Sequence, residues 1–289
     1  MSMNNDATKK YVLIIVTLVS LLNPLTVSSV NVALPAIGKD FRMDAILLSW
    51  VATSSLMASA VFVVPFGRVA DIYGRKKVFA YGLALSTLSS LLCALSNSGQ
   101  MLISMRVLQG LGGAMMACTG FAILTSVFPV GERGRALGIN VAAVYVGLSI
   151  GPFVGGLLTQ HFGWRSVFIV NVPLGLILVG IILLKLKEGW AASTGEKLDV
   201  IGSFIYGVML VAIIYGFSLL PDLLGVWIIV IGIFALLAFV RWETRVRSPI
   251  LDMDLFKKNN HVGYLIMMEV ASVISSRLRS LNRKCVNSI

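Results

Sequence analysis

The sequence predicts an all-α fold, a polytopic bundle of transmembrane helices, and three observations predict it. Of 289 residues, 57% are hydrophobic and only 13% are charged, and the mean hydropathy is +0.89. A soluble domain carries about 25% charged residues, so a chain this poor in charge does not cover a water-facing surface and turns most of its apolar surface to lipid. The apolar residues also gather into runs near the roughly 20 residues that a helix needs to cross a hydrocarbon core of about 30 Å. Finally, the runs are too long and too unalternating for barrel strands, and an open strand leaves its backbone groups unsatisfied in lipid.

Taken in order, the runs fall at 11–36, 47–66, 78–95, 101–128, 136–159, 167–184, 201–220 and 224–240. A ninth, 261–276, is short and carries Glu269, and the basic tail beyond it has no apolar run. The first run follows Lys9 and Lys10 but is longer than the apolar segment of a signal peptide, and no clear small-residue cleavage site ends it early.

Orientation follows from the cations in alternate loops. One side receives Lys9, Lys10, Arg68, Arg75, Lys76, Lys77, Arg133, Arg135, Lys185, Lys187, Lys197, Arg241, Arg245, Arg247, Lys257 and Lys258. The other receives Lys39, Arg42 and Arg165. This asymmetry predicts a cytoplasmic N-terminus. If the ninth run crosses, Arg277, Arg279, Arg283 and Lys284 break the rule; either that run does not cross or the tail is not the natural continuation.

The net charge of +11 lies in short loops, with no basic stripe on an amphipathic helix, which argues against nucleic acid as a partner. Cys93, Cys118 and Cys285 are odd in number and far apart, and His161 and His261 stand alone, so neither a disulfide framework nor a metal site is expected. No span edge carries an Asp/His cluster or a nucleophile motif, so an enzyme is not expected.

The loop after the second run reads Gly67-Arg68-Val69-Ala70-Asp71-Ile72-Tyr73-Gly74-Arg75-Lys76-Lys77. It reads as a tight, glycine-bounded turn in which Asp71 pairs with a neighbouring cation or sits at a helix N-terminus. The cations alone also suit a loop that only fixes topology. The fourth run holds Arg106-Val107-Leu108-Gln109-Gly110-Leu111-Gly112-Gly113, and the fifth holds Gly147, Gly151, Pro152, Gly155 and Gly156.

These three stretches resemble, in order and in the matching spans, motifs of the major facilitator superfamily of secondary transporters. The first is similar to its signature loop, the second to the R-x-x-Q-G-x-G-x motif of proton-coupled members, the third to the G-x-x-x-G-P-x-x-G-G motif of its drug antiporters. Val30-Asn31-Val32-Ala33-Leu34-Pro35, Trp164-Arg165, Asn171-Val172-Pro173 and Ser248-Pro249-Ile250-Leu251-Asp252 look like the fourteen-span drug:proton antiporters. The resemblance covers roughly residues 10–260. It implies a six-helix N-terminal half at 11–186, a cytoplasmic linker at 187–200, two extra central helices at 201–241 and a cytoplasmic loop at 242–260. Residues 1–10 would be the cytoplasmic N-terminus, and 261–289 a partial or aberrant ninth span with its tail.

Gly147, Gly151 and Gly155 recur every four residues and form a smooth stripe on one helix face, while Pro152 permits a bend. Spacing alone suits ordinary close packing. The resemblance points instead to a hinge or sliding contact with the opposite half. A charged side chain at membrane depth costs about 2.5 to 3.5 kcal/mol even on the lenient insertion scale, so Arg106 either faces a cavity or snorkels to the outer interface. The resemblance assigns Arg106 to proton coupling and Gln109 to its support. The first run offers Asn23, Thr26, Ser28, Ser29 and Asn31 near the membrane middle, as cavity or interhelical hydrogen-bonding groups. Thr26 stands where the family's first-span motif carries an aspartate, so a direct carboxylate proton carrier is missing from this span.

The resemblance therefore implies a multi-pass plasma-membrane exporter of small lipophilic, drug-like and often cationic compounds, driven by the proton gradient with no cofactor. Only one loop of the signature type occurs, so the cavity's second wall would come from a missing C-terminal half or a second protomer, and the chain by itself is not expected to transport. The rival expectation is a partner-dependent half-transporter with a structural or regulatory role.

Overall fold

In lipid an apolar run satisfies its own backbone only by coiling, and every described run does so. A computed structural model describes residues 3–185, 199–219 and 222–246. Their helices are α1 (Met3–Phe41), α2 (Ala45–Tyr73), α3 (Arg75–Ala94), α4 (Gly99–Val127), α5 (Val130–Phe162), α6 (Arg165–Ile169), α7 (Asn171–Lys185), α8 (Val200–Ser218) and α9 (Leu223–Glu243), with no strand among the described residues. Eight of the resulting spans are long and apolar enough to cross a membrane, α6 and α7 together forming the sixth. The fold is all-α, as expected. The ninth run at 261–276, the basic tail, residues 187–198 of the linker and the stretch Ser248-Pro249-Ile250-Leu251-Asp252 lie outside the described residues.

The helices outrun their apolar stretches because charge ends a hydrophobic run without ending a helix. α1 stops at Phe41, where Arg42 takes a left-handed conformation (φ 50°). Asp44 then caps α2, its carboxylate accepting from the Leu47 amide at 2.7 Å, and Ser98 caps α4 through the Met101 amide at 3.2 Å. α5 follows Pro129, which suits a helix entrance, and ends at Gly163 (φ 80°). The sixth span breaks at Val170. Pro173 has no amide to offer the Ile169 carbonyl, and at the same break the Asn171 side chain donates to the Val167 carbonyl at 2.9 Å.

α1 lies along α5, α2 and α3 lie along α4, α7 closes against α3, and α8 pairs with α9 while touching α2. Two apolar clusters hold this bundle together. One gathers Val12, Ile15, Val16, Phe79, Ile123, Leu124 and Ile182. The other gathers Val30, Ile37, Val51, Cys93, Leu102, Trp164 and Phe168. Along α1 the clusters occupy 12–19 and 30–37, so Asn23 and Thr26 fall between them. Two polar side chains of the run, Asn23 and Thr26, are thus held between the two apolar clusters.

The two ends of the bundle are also fixed by polar contacts. At one end Lys9 donates to Glu132 at 3.0 Å, tying the start of α1 to α5. At the other, Asp40 accepts from Trp164 Nε1 at 3.0 Å and from Arg165 at 2.9 Å, while Arg165 also reaches the Ser96 carbonyl at 3.0 Å.

Candidate functional site

The signature stretch is mostly helix. Gly67 through Tyr73 form the last turns of α2, and the reversal is made at Gly74 alone (φ 105°, ψ 124°), after which α3 begins at Arg75. The glycine-bounded turn expected from sequence is corrected in this respect: Gly67 has only ordinary contact with Cys118 and bends nothing. Asp71 and Arg75 clasp the turn, Arg75 Nε and Nη2 both donating to Asp71 Oδ1 at 3.0 and 2.9 Å. Arg75 Nη1 donates to the Ala122 carbonyl at 3.2 Å, so the turn is pinned to α4. Lys76 and Arg68 are half-buried beside it.

Arg106 does not snorkel. It is 1% exposed, and its Nε donates to the Val51 carbonyl of α2 at 3.0 Å. Its Nη1 donates to Gln109 Oε1, and Gln109 Nε2 donates to Ser90 Oγ of α3 at 2.7 Å. Burial between α2, α3 and α4 leaves the guanidinium no path to the interface. Its Nη2 has no hydrogen-bond partner among the described residues.

The first-span candidates separate by face. Thr26 is buried, its hydroxyl 2.8 Å from the Leu22 carbonyl and 3.0 Å from Asn171 Oδ1 in α7, two acceptors for its one proton. Ser28 donates to the Leu148 carbonyl at 2.9 Å and Ser29 to the Gly151 carbonyl at 2.8 Å. The Ser28 bond has a specific cause. Pro152 lacks the amide that would bond Leu148, and the freed carbonyl is taken by α1. Asn31 is exposed, two helical turns along from Asn23.

The glycine stripe faces α1 of the same half, not an opposite half. A Cβ on Gly147 would meet the Leu21 carbonyl oxygen at 2.5 Å, on Gly151 the Ser28 Cβ at 2.6 Å, and on Gly155 the Ser29 Cα at 2.6 Å. The expectation of a sliding contact with a second half is corrected accordingly: the seam is closed by backbone contact and by two serine hydrogen bonds. Gly156 is packed more loosely, since a Cβ there would stand 3.9 Å from Val32 Cγ1, and Pro152 is exposed.

Three hollows meet at Asn23. One, between α1, α3, α4 and α7, is lined by Thr26, Thr87, Ser90, Gln109 and Asn171. A second, a cleft of about 500 Å³ between α1, α4 and α5, is lined by Ser20, Pro24, Met116, Phe121, Asn140 and Val144. A third, a recess of about 280 Å³, holds Val27, Ser55, Ser59, Arg106, Gln109 and Gly113. Asn140 escaped the sequence reading. It is 1% exposed with its Oδ1 lacking a hydrogen-bond partner among the described residues. Its signal was its place two helical turns before Gly147, on the buried face that the stripe defines. None of the three hollows is lined by a carboxylate.

Residues 16–275 match the Major Facilitator Superfamily. The chain is 31% identical over 262 residues to the riboflavin transporter RibZ of Clostridioides difficile, covering 89% of this chain and 57% of that protein. It is 34% identical over 252 residues to the puromycin resistance protein pur8 of Streptomyces alboniger, covering 85% and 50%. To the multidrug resistance protein Stp of Mycobacterium tuberculosis it is 33% identical over 241 residues, covering 80% and 44%. The chain spans about half the length of these curated relatives. The crystal structure of a bacterial homologue of the human lysosomal transporter Spinster, inward-facing and unoccupied, shares the fold with a TM-score of 0.54 at 20% identity, over 73% of this chain and 53% of that one. The family match spans most of the chain, and its eight apolar spans agree with it: the chain belongs to the major facilitator superfamily.

Proposed function

We propose that this chain forms the N-terminal half, with two central helices, of a proton-coupled exporter of lipophilic drug-like compounds. It would lie in the plasma membrane with its N-terminus cytoplasmic. The observation that carries the proposal is a polar site inside the bundle: a buried arginine held by Val51 and Gln109, in a recess that shares Asn23 with an apolar cleft. Transporters of this kind bind substrate inside the bundle, between two halves that rock about the site. The names of the relatives, which speak of drug resistance, multidrug resistance and riboflavin transport, support the same class. The second wall would come from a second half on the same polypeptide or on a second protomer. Arg106 would serve proton coupling with Gln109 in support, and the turn clasped by Asp71 and Arg75 would gate the cytoplasmic side.

The test is accumulation of a fluorescent lipophilic dye in a host lacking dye exporters. With this chain paired to its second half, accumulation should fall, and a proton ionophore should erase the difference. Asp71→Asn should remove efflux while leaving insertion intact, because it takes the charge from the clasp without changing its shape. Accumulation equal to that of vector-only cells would overturn the proposal, and normal efflux by Asp71→Asn would remove the gating role. Vesicles holding this purified chain alone should show no proton-driven transport.

A further inference from the structure

We propose that the recess at Arg106 is a subsite for an acidic head group, so that the compounds handled by this half are lipophilic acids rather than lipophilic cations. The inference rests on the exporter reading and narrows its substrate class. A guanidinium keeps its charge at any accessible pH, and burial without a counter-charge is unfavourable unless an acceptor completes its donors. Here two of its three nitrogens are used, by a carbonyl and an amide that are both neutral, and Nη2 is left without a partner among the described residues. Ser55 lines the same recess, is 5% exposed, and its hydroxyl likewise has no hydrogen-bond partner there. Two buried, unsatisfied donors with no carboxylate in the wall call for an oxyanion.

The size of the space decides how much of a ligand enters. The recess is the smaller of the two spaces and takes a head group such as a carboxylate, not a whole drug-sized molecule. The recess shares Asn23 and Gly113 with the larger cleft, whose wall of Pro24, Met116, Phe121 and Val144 suits an apolar body. Gly113 keeps this passage open, since a Cβ there would stand 3.0 Å from Asn23 Nδ2. An acid group beside Arg106 and Ser55 with a hydrophobic body between α1, α4 and α5 fits both volumes.

The experiment uses the full chain in phosphatidylcholine nanodiscs and three matched radiolabelled probes: naphthalene-2-carboxylate, its amide, and 2-naphthyltrimethylammonium. The carboxylate should bind at least about tenfold more tightly than the ammonium, the size expected for charge-assisted hydrogen bonds. Arg106→Gln should bring the carboxylate down to the level of the amide, and Ser55→Ala should weaken it severalfold while leaving the amide unchanged. Because wild-type selectivity is itself a readout, the inference stays falsifiable even if Arg106→Gln fails to fold. Binding of the ammonium as tight as the carboxylate, no binding of the carboxylate, or carboxylate binding indifferent to Arg106→Gln would each overturn it. The exporter reading would survive those results, since it is judged by dye accumulation. A carboxylate of the second half would present the same chemistry. If that group fills the recess, the isolated chain binds the naphthoate but the paired halves export the three probes without preference, which overturns the assignment to substrate.

Discussion

Two neighbouring helices, α4 and α5, carry glycine patterns that look alike in sequence and part company in the fold at one position, Gly113. On α5 the stripe Gly147, Gly151 and Gly155 lets α1 touch, and at these three positions the seam is closed. On α4, Gly110 likewise abuts the Ser55 carbonyl of α2, but Gly113, one turn on, borders a recess and leaves room beside Asn23. A glycine every third or fourth residue therefore states only that something comes close or that something is kept clear. Which of the two holds depends on the partner. Opposite α5 stand the small serines 28 and 29 of α1; opposite Gly113 stands the amide end of Asn23, a side chain that can turn aside.

The largest expected effect is on the closed seam. Gly155→Leu places a branched side chain where a single Cβ already meets Ser29 backbone at 2.6 Å, and backbone has no rotamer with which to give way. Overpacking of this kind typically costs 1 to 3 kcal/mol, about that much per strained site and more where backbone must move. Expression followed by size-exclusion chromatography in detergent should show little or no folded protein. Gly156→Ala, with its nearest neighbour at 3.9 Å, should elute as wild type. A well-folded Gly155→Leu protein would mean that α1 and α5 slide easily, and would return the stripe to a moving contact.

On α4 the next largest effect belongs to Arg106→Lys. Lysine keeps the charge but loses the planar fork that bonds Val51 and Gln109 together. Leaving one of these buried acceptors unpaired costs about 1 to 3 kcal/mol. Thermal unfolding in micelles should show that loss, and proton-driven efflux by the paired halves should fall at least about tenfold, a change of 1.4 kcal/mol or more. Efflux with wild-type pH dependence would show that a point charge suffices.

What the sequence could tell about these helices follows from what the solvent enforces. Lipid demands about 20 apolar residues per crossing, so eight runs were legible as eight spans. Helix ends were not, because residues such as Arg68 and Asp71 stop the apolar pattern while continuing the coil, and only Gly74 breaks it. Arg106 and Gln109 were legible as a pair by their one-turn spacing, but its depth was not, since burial depends on α2 and α3 folding over it. Partners across helices were the least legible. Nothing local says that Pro152 frees a carbonyl for Ser28, or that Asn140 would share a cleft with Asn23.

A smaller effect tests that freed carbonyl. Ser28→Ala removes a single hydroxyl from the α1–α5 seam, at 2.9 Å from the Leu148 oxygen. Interhelical hydrogen bonds in membranes average about 0.6 kcal/mol, so the loss should be near that value. Combined with Pro152→Ala, which restores an amide able to bond Leu148 within α5, the cost of Ser28→Ala should shrink toward zero. Equal losses with proline or alanine at 152 would mean that the proline does not free the acceptor.

The smallest expected change in stability is the one that separates the two helices most sharply. Alanine at 151 and alanine at 113 add the same methyl group to two buried glycines. At 151 the added carbon meets Ser28 Cβ at 2.6 Å and the Leu25 carbonyl oxygen at 3.0 Å, so helix α1 must shift. At 113 its nearest neighbour is Asn23 Nδ2 at 3.0 Å, the far end of a side chain that can rotate, with Ser59 Oγ next at 3.7 Å. The Gly113→Ala chain should therefore unfold within about 0.5 kcal/mol of wild type, helped by the better helix propensity of alanine. Its effect should fall on the passage instead, because the methyl group narrows the neck through which the recess joins the cleft. Binding of the naphthalene carboxylate should weaken severalfold while that of acetate, small enough to sit in the recess alone, is unchanged. A Gly113→Ala chain as unstable as Gly151→Ala would show that α4 is as tightly closed at this point as α5, and the contrast between the two helices would be lost.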